Sequence, residues 1–248
     1  MKKLLFTLLL PVLSIFAVMA QSIEVDVIKE ASELDLSAAP ISVKPGSGIF
    51  VAYGNRIAGV DTVCEVGVNL PENVVIEDFV FAGPSVVMKI NGAMAWTRQE
   101  GGFDACAFPE EGFRLCPATD STVYVLGADR IIEYDLKNKK PRTMVNVAGT
   151  PVAAHYLPDG FVLATDRAVY SLINGEWKLL HSHPGRINAA VVMPAGIFVG
   201  SDQGLWRLAG DDVMELIGMG GVRKLLVEGM TLYVVDGEGN LVGFTFES

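Results

Sequence analysis

Short apolar runs separated by polar turns recur along the whole chain, and they predict β-hairpins. Each pattern consists of an apolar stretch, a turn built from Gly, Asn, Asp or Glu, and a second apolar stretch. Six such segments are found at residues 49–61, 86–97, 123–136, 161–172, 197–208 and 232–244. Long runs with apolar residues at helical spacing do not occur between these segments, so the pattern indicates an all-β protein.

The hairpins repeat at a nearly constant interval. One turn position in each hairpin forms a ladder made of Asn55, Asn91, Asp129, Asp166, Asp202 and Glu238. The spacings in this turn ladder are 36, 38, 37, 36 and 36 residues. A glycine ladder gives the same period, because its members are spaced by 37, 36 and 36 residues: Gly112, Gly149, Gly185 and Gly221. Two ladders with one period indicate six structural repeats.

Each repeat carries four β-rich stretches. In the fourth repeat they read PVAAHYL, FVLATD, AVYSL and EWKLLHS. Four strands per repeat of this length are typical of the blade of a β-propeller. We therefore predict an all-β fold, a six-bladed β-propeller of four-stranded blades, which forms a single domain over residues 21–248.

The two ends of the chain predict how the ring is closed. The last repeat stops one strand short, and a spare β-like stretch lies at residues 22–28. Pairing this stretch with the strand around residues 241–247 would complete the last blade and cover an open sheet edge. The stretch of residues 29–39, in which acidic residues outnumber basic ones, is the expected linker into the first blade.

Residues 1–20 have the pattern of a secretory signal peptide. Lys2 and Lys3 precede an uncharged apolar stretch over residues 4–18, and Val18-Met19-Ala20 forms a small-x-small cleavage site. The alternative is an uncleaved membrane anchor, but the apolar stretch is short and contains Pro11. We expect cleavage after Ala20 and a soluble mature protein that is periplasmic or secreted.

The charge balance excludes one class of partner. The whole chain has a net charge of −10, and removal of residues 1–20 leaves −12. An acidic surface repels phosphate backbones, so nucleic acid is not an expected partner.

Two of the repeats resemble a known family. IFVGSDQGLWRL (residues 197–208) and FVLATDRAVYSL (residues 161–172) are similar to the propeller repeats in the periplasmic sensor regions of bacterial two-component regulators and in related secreted propellers. The resemblance implies the fold, an envelope location and a role in recognition. It is limited to the repeats, since those sensors also carry many more repeats, a transmembrane helix and a kinase.

The cysteines leave two alternatives open. Cys106 and Cys116 are expected on the outer strand of the second blade and the inner strand of the third. Export permits a disulfide between them, and the other possibility is two buried free thiols. Cys64 is left over, and no CxxC motif indicates a redox or zinc site.

Metal and cofactor sites are not expected. His181 and His183 have the spacing of two metal ligands on one strand, but no third ligand lies nearby in the sequence. Residues 236–240 imitate the start of a calcium loop, yet Leu241 stands where that loop needs glycine, and a hairpin turn explains the same residues.

The predicted fold brings three arginines together. In propellers the loops between blades and the turns between second and third strands share one face, and here these loops include Arg114, Arg186, Arg223 and Asp78. A rim of this kind could bind a carboxylate, a sugar acid or an acidic peptide. The alternative is that the arginines pair with the turn residues Asp129, Asp166 and Asp202 and brace the blades. His155, on a predicted inner strand, is expected to line the channel.

Catalytic residues are not predicted, because the chain has no nucleophile elbow, Walker loop or zinc-protease motif. The expected function is that of an exported bacterial β-propeller, a non-catalytic binding or scaffolding module whose partner is an envelope protein or an acidic or glycan ligand. The alternative is a propeller hydrolase or lyase that acts on a glycan or lactone at the channel mouth.

Overall fold

The computed structural model describes residues 23–30, 33–60, 64–108, 112–158, 160–209, 212–217 and 220–246. The expected signal peptide and its cleavage site lie outside these ranges, as do Ser22 and Glu247 at the ends of the expected closing strands. The described residues form 24 β-strands and no helix. None of the described segments is therefore a helix of the length and hydrophobicity that crossing a bilayer requires.

The strands have the following bounds in chain order. They are β1 (Ile23–Lys29), β2 (Ile41–Lys44), β3 (Gly48–Tyr53), β4 (Arg56–Gly59), β5 (Glu65–Val66), β6 (Ile76–Ala82), β7 (Ser85–Ile90), β8 (Ala93–Thr97), β9 (Phe103–Ala107), β10 (Arg114–Pro117), β11 (Thr122–Leu126), β12 (Arg130–Asp135), β13 (Lys140–Asn146), β14 (Pro151–Leu157), β15 (Gly160–Thr165), β16 (Ala168–Ile173), β17 (Glu176–Ser182), β18 (Ile187–Met193), β19 (Gly196–Ser201), β20 (Gly204–Ala209), β21 (Asp212–Ile217), β22 (Val222–Glu228), β23 (Thr231–Asp236) and β24 (Leu241–Phe246).

These strands form six antiparallel sheets of four, which confirms the predicted six-bladed propeller. The first five blades are β2–β5, β6–β9, β10–β13, β14–β17 and β18–β21, and the sixth is β22–β24 together with β1. The first strand of each of the first five blades, and β22 of the sixth, contacts the inner strands of both neighbouring blades, so these six strands surround the axis. β1 pairs antiparallel with β24, and its register sets Ile23 opposite Phe246 and Val25 opposite Phe244.

The hydrophobic core is divided among the junctions between blades. The buried apolar residues form six clusters in the described chain, and each cluster joins two neighbouring blades. The cluster between the first and sixth blades contains Ile41 and Val51 from one side and Val235 and Leu241 from the other, with Leu36 from the linker. A blade is thus buried on both faces, which explains why the inner strands are apolar at successive positions.

The two sequence ladders contact each other in the fold. Asp202 Oδ1 accepts a hydrogen bond from the Arg186 main-chain N–H at 2.9 Å, and Asp166 Oδ1 accepts one from the Thr150 N–H at 3.2 Å. A Cβ at Gly185 would collide with the Asp202 carboxylate, so a larger residue where the loop passes the turn would have to displace that side chain. The loops between blades and the turns between second and third strands therefore lie on the same side of the ring, which we call the rim face.

Candidate functional site

A cavity of about 950 Å³ runs along the propeller axis and opens on the rim face. Its walls come from the inner strands of all six blades and from the loops that lead into them. All five site residues that the sequence suggested contribute to its lining: Asp78, Arg114, His155, Arg186 and Arg223.

The three arginines are exposed at the mouth of this channel. Arg186 lies in the loop before β18, as expected, whereas Arg114 and Arg223 are the first residue of β10 and the second residue of β22. Asp78 is likewise inside a strand, β6, and not in a loop. Arg114 and Arg223 still reach the rim, because the inner strands β10 and β22 begin at that face.

The ion pairs expected for a purely bracing role do not form between these arginines and the turn aspartates in the described structure. Asp202 is bonded by the main chain of Arg186 and not by its guanidinium. Asp129 lies 3.6 Å from the Nε of Arg130. Arg223 Nε donates a hydrogen bond to the Gly237 main-chain carbonyl at 3.3 Å. The Asp166 and Asp202 carboxylates hold the loops, and the three arginines line the channel mouth.

Two of the three acidic side chains of the lining, Glu77 and Asp78, are paired with lysines. Glu77 Oε2 lies 3.0 Å from Lys89 Nζ, and the hydrogen bond from Lys89 lowers the pKa of Glu77. Asp78 Oδ1 lies 3.6 Å from Lys224 Nζ, which bridges the second and sixth blades across the channel, and Asp78 Oδ2 accepts the Leu115 N–H at 2.8 Å. Asp78 is therefore part of the framework of the wall.

The charge left at the mouth is positive. The lining includes five Lys and Arg side chains but three Asp and Glu side chains, in a protein whose net charge is −10. Because Lys89 and Lys224 match two of the carboxylates, the three arginines are opposed by Asp202 alone, which leaves an excess of two positive charges. A local field opposite in sign to the whole protein attracts anionic groups.

His155 lines the channel, as predicted, and is bonded to the neighbouring blade. Its Nε2 lies 3.0 Å from the carbonyl oxygen of Ala190 in β18, and since a carbonyl only accepts, Nε2 carries the proton. Burial lowers the pKa of the imidazole. Two further side chains of inner strands bond to the next blade in the same way, with Cys116 Sγ donating to the Ala154 carbonyl and Asn188 Nδ2 donating to the Val222 carbonyl.

Of the two alternatives for Cys106 and Cys116, the structure has the free thiols and not the disulfide. Cys64, Cys106 and Cys116 are all free thiols. Cys106 lies on β9 at the outer edge of the second blade, whereas Cys116 is buried on β10 beside the channel. The segment between the two cysteines is long enough to allow a disulfide. However, Cys106 lies on the outer edge strand of its blade and Cys116 on the inner edge strand of the next. Burial raises the pKa of Cys116 to about 11.

The remaining histidines pack against each other. His181 Nε2 lies 3.2 Å from His183 Nδ1, and the His183 ring packs against Trp206 with centroids 5.2 Å apart. Among the described residues no group of three His, Cys, Asp or Glu side chains could hold a metal ion. Asp236 accepts hydrogen bonds from the N–H groups of Glu238 and Asn240, which is the geometry of a tight hairpin turn.

The comparisons with known proteins show the fold alone. No protein-family model and no curated protein matches the chain. Among solved structures, the extracellular domain of the putative one-component system BT4673 from B. thetaiotaomicron superposes with a TM-score of 0.62 at 11% identity. The match covers 78% of this chain but 31% of that domain, so this chain spans about a third of its length.

Two other solved propellers match over most of their length. BamB from Moraxella catarrhalis gives a TM-score of 0.54 at 13% identity, over 84% of this chain and 82% of that one. The RRP9 WD40 repeats give 0.60 at 11% identity, over 90% and 97%. The protein is thus a six-bladed β-propeller, in agreement with the resemblance noted from its repeats.

Proposed function

We propose that this protein is an exported, non-catalytic binding or scaffolding module of the bacterial cell envelope, and that its channel mouth holds an acidic group of a partner. Support for export comes from the signal-peptide pattern of residues 1–20. The similar solved structures include an extracellular domain and protein complexes, such as BBS1N with ARL6DN. These similarities support a recognition role at the level of the fold.

One observation carries the binding proposal: three arginines converge on one mouth of the channel while the turn aspartates are bonded by other groups. Guanidinium groups form strong, often bidentate hydrogen bonds with carboxylates. The expected ligand is therefore rich in carboxylates. Such a ligand is either an acidic protein segment or a sugar acid.

The test compares the mature chain with a variant in which Arg114, Arg186 and Arg223 are changed to glutamate. The two probes are a poly-glutamate peptide and polygalacturonate, measured by calorimetry at low salt. We expect the triple variant to lose at least tenfold in affinity for the probe that binds, with a nearly unchanged melting temperature. A control with the same charge change at Arg98, Lys137 and Lys178, which do not line the channel, should keep its affinity.

Other outcomes discriminate between the alternatives. A small drop in melting temperature with unchanged affinity would mean that the arginines stabilise the rim, since exposed pairs are worth about 0–1 kcal/mol each. Unchanged affinity and unchanged stability would reject a role for the rim arginines altogether. Release of reducing or unsaturated ends from polygalacturonate by the wild-type chain would instead support the hydrolase or lyase alternative.

Export is tested separately. Expression of the full chain in a bacterial host followed by cell fractionation should recover a periplasmic or secreted protein whose sequence begins at Gln21. Recovery of a chain that retains residues 1–20 in the membrane fraction would contradict cleavage and support the uncleaved anchor.

A further inference from the structure

The lining of the central channel changes from charged to apolar along the inner strands. Each charged side chain that an inner strand contributes belongs to the first three residues of its strand, as Asp78, Arg114 and Lys224 do. From the fourth residue onward, the described lining contains no Asp, Glu, Lys or Arg, and His155 is its one titratable side chain. Because the inner strands begin at the rim face, the charges lie at the mouth and the apolar side chains lie deeper.

Apolar surface is accessible in the deep part of the channel. Val192 of β18 and Leu226 and Val227 of β22 are partly exposed, although they lie inside the ring and line the cavity. Val43 of β2, on the adjacent first blade, is partly exposed as well. Apolar surface that faces a preformed cavity gains free energy when an apolar group displaces the water beside it.

The apolar lining reaches the mouth on the fourth blade. Val152, which is partly exposed, is the second residue of β14, a position at which the sixth blade has an arginine. Ala153 and Ala190 line the channel beside it, and their small side chains take up little of the space. Elsewhere the mouth is crossed by the pair of Lys224 and Asp78, with the two charged atoms 3.6 Å apart. A group that enters the channel therefore passes along the fourth and fifth blades.

The polar groups of the deep part do not suit a sugar. The N–H of His155 is bonded to the Ala190 carbonyl and the thiol of Cys116 to the Ala154 carbonyl, so the wall uses both donors. Ser42 is 5% exposed. A sugar ring carries several hydroxyl groups, and each one left without a hydrogen bond weakens binding. Of the two ligand classes proposed for the mouth, the deep lining favours the acidic protein segment.

The guanidinium groups above this lining are not used by the protein for ion pairs. Among the described residues, none of Arg114, Arg186 and Arg223 forms an ion pair. Asp35 of the linker is near Arg223, since hydrogen bonds from Ser37 and, to a smaller extent, the charge of Arg223 lower its pKa. Carboxylates of a ligand can therefore bond to the arginines without displacing an existing partner.

We propose that the channel receives one bulky apolar side chain from an acidic segment of a partner protein, an inference that rests on the function proposed above. The side chain enters past Val152 and packs against Val192 and Val227. Carboxylates on either side of it bond to Arg114 and Arg186 at the mouth. In such an arrangement the buried side chain supplies most of the affinity, and the charges select and orient the segment.

The test uses two acidic peptides that differ at one position. Both carry several glutamates on each side of a central residue, which is phenylalanine in one peptide and serine in the other. Binding to the mature chain is measured by fluorescence anisotropy. We expect the phenylalanine peptide to bind at least about tenfold more tightly, which corresponds to the burial of one such side chain.

The deep wall is tested with the double variant Val192→Thr, Val227→Thr. Threonine has nearly the shape of valine but adds a hydroxyl group, so the fold should be retained and the apolar surface reduced. We expect a loss of at least about fivefold in affinity for the phenylalanine peptide and no change for the serine peptide. Val27→Thr makes the same substitution at an exposed position on the outer strand of the sixth blade, and this matched control should bind both peptides like the wild type.

A second cleft offers another place for an apolar side chain. It has a volume of about 320 Å³ and lies between the third and fourth blades, where cross-strand rows that include Tyr124 on one blade and Phe161 and Trp177 on the other form its walls. Trp177→Ala should leave the affinity for the phenylalanine peptide unchanged. A large loss in this variant, with no effect of the two channel valines, would overturn the proposal.

Failure of this inference can be distinguished from failure of the proposed function. If both peptides bind equally well and the triple arginine-to-glutamate variant weakens both, the proposed function stands and the apolar insertion is wrong. If polygalacturonate binds through the arginines and the phenylalanine peptide does not, the ligand is a sugar acid and the insertion is again wrong. If no probe binds, or if the triple variant binds every probe like the wild type, both proposals are wrong.

Discussion

At the scale of single residues, the side chains of the channel wall connect neighbouring blades. His155, Cys116 and Asn188 each donate a hydrogen bond to a main-chain carbonyl of the next inner strand. Buried carbonyl groups that face such a junction need a donor, and these side chains supply it. A histidine on an inner strand is therefore explained by the construction of the ring without any ligand.

This role predicts how stability depends on pH. Burial lowers the pKa of His155 in the folded protein, while the unfolded chain keeps a value of about 6.5. Below that value the unfolded state takes up a proton that the folded state does not, so the free energy of unfolding falls as the pH is lowered from 7 to 5. The contribution of one such group is at most about 1.4 kcal/mol per pH unit.

The measurement is urea unfolding at pH 5, 6 and 7 for the wild type and for His155→Gln. Glutamine retains an N–H donor for the Ala190 carbonyl but does not titrate, so we expect a smaller loss of stability at pH 5. Burial also lowers the pKa of His181 and His183, so part of the pH dependence should remain in this variant. An identical pH dependence in both proteins would contradict the prediction.

At the scale of elements, the two ladders of the sequence contact each other in the fourth and fifth blades. Each ladder glycine precedes its turn residue by 17 residues, as for Gly149 and Asp166 or Gly185 and Asp202. In these two pairs the turn carboxylate reaches over the glycine to bond a main-chain N–H just beyond it. Two of the ladder glycines also adopt a left-handed conformation: φ is +102° at Gly149 and +94° at Gly221.

A double-mutant cycle tests this contact in the fifth blade. Gly185→Ala should destabilise the protein, because its Cβ would displace the Asp202 carboxylate from the Arg186 N–H. In an Asp202→Ala background the same change should cost less, with a coupling free energy of about 0.5–3 kcal/mol measured by urea unfolding. Gly67 has open space around its Cβ position, so Gly67→Ala should be additive with Asp202→Ala.

Additivity of Gly185→Ala and Asp202→Ala would show that the two ladders are independent. The glycine would then be required for its own loop and not for the turn.

At the scale of the whole molecule, the ring depends on every junction because each core cluster belongs to two blades. The sixth blade takes its outer strand from the other end of the chain. Without β1, the strand β24 would present an unpaired edge, and Val25 would no longer pack against the cluster of the fifth and sixth blades.

Deletion of residues 21–30 should therefore lower the melting temperature by at least about 5 °C in a domain of this size. Two point variants localise the effect: Val25→Asp should reproduce part of the loss, whereas Val27→Asp should be nearly neutral because Val27 is 63% exposed. The measurement is thermal unfolding followed by circular dichroism. An unchanged melting temperature after the deletion would show that the ring is stable without its N-terminal strand.

The sequence by itself determined the number of blades and the bounds of the strands in the fourth repeat. In the fourth repeat, the stretches predicted from the residues coincide with β14–β17 to within two residues at each end. These features are local, because alternating burial and turn-forming residues act over fewer than ten positions. Repetition of the same local pattern six times then leaves few architectures open.

The tertiary structure decided which side chains meet. A strand pattern tells which residues share a face, but the partner across a junction belongs to another blade, about 36 residues away. The sequence placed Asp78 in a rim loop, but its contacts with Leu115 and Lys224 of other blades make it part of the channel wall. Likewise, Cys106 and Cys116 are near in sequence but lie on different blades and form no disulfide. The cleft beside Trp177 could not be predicted from the sequence, because it lies between two rows of side chains on facing blades and neither row is continuous in the chain.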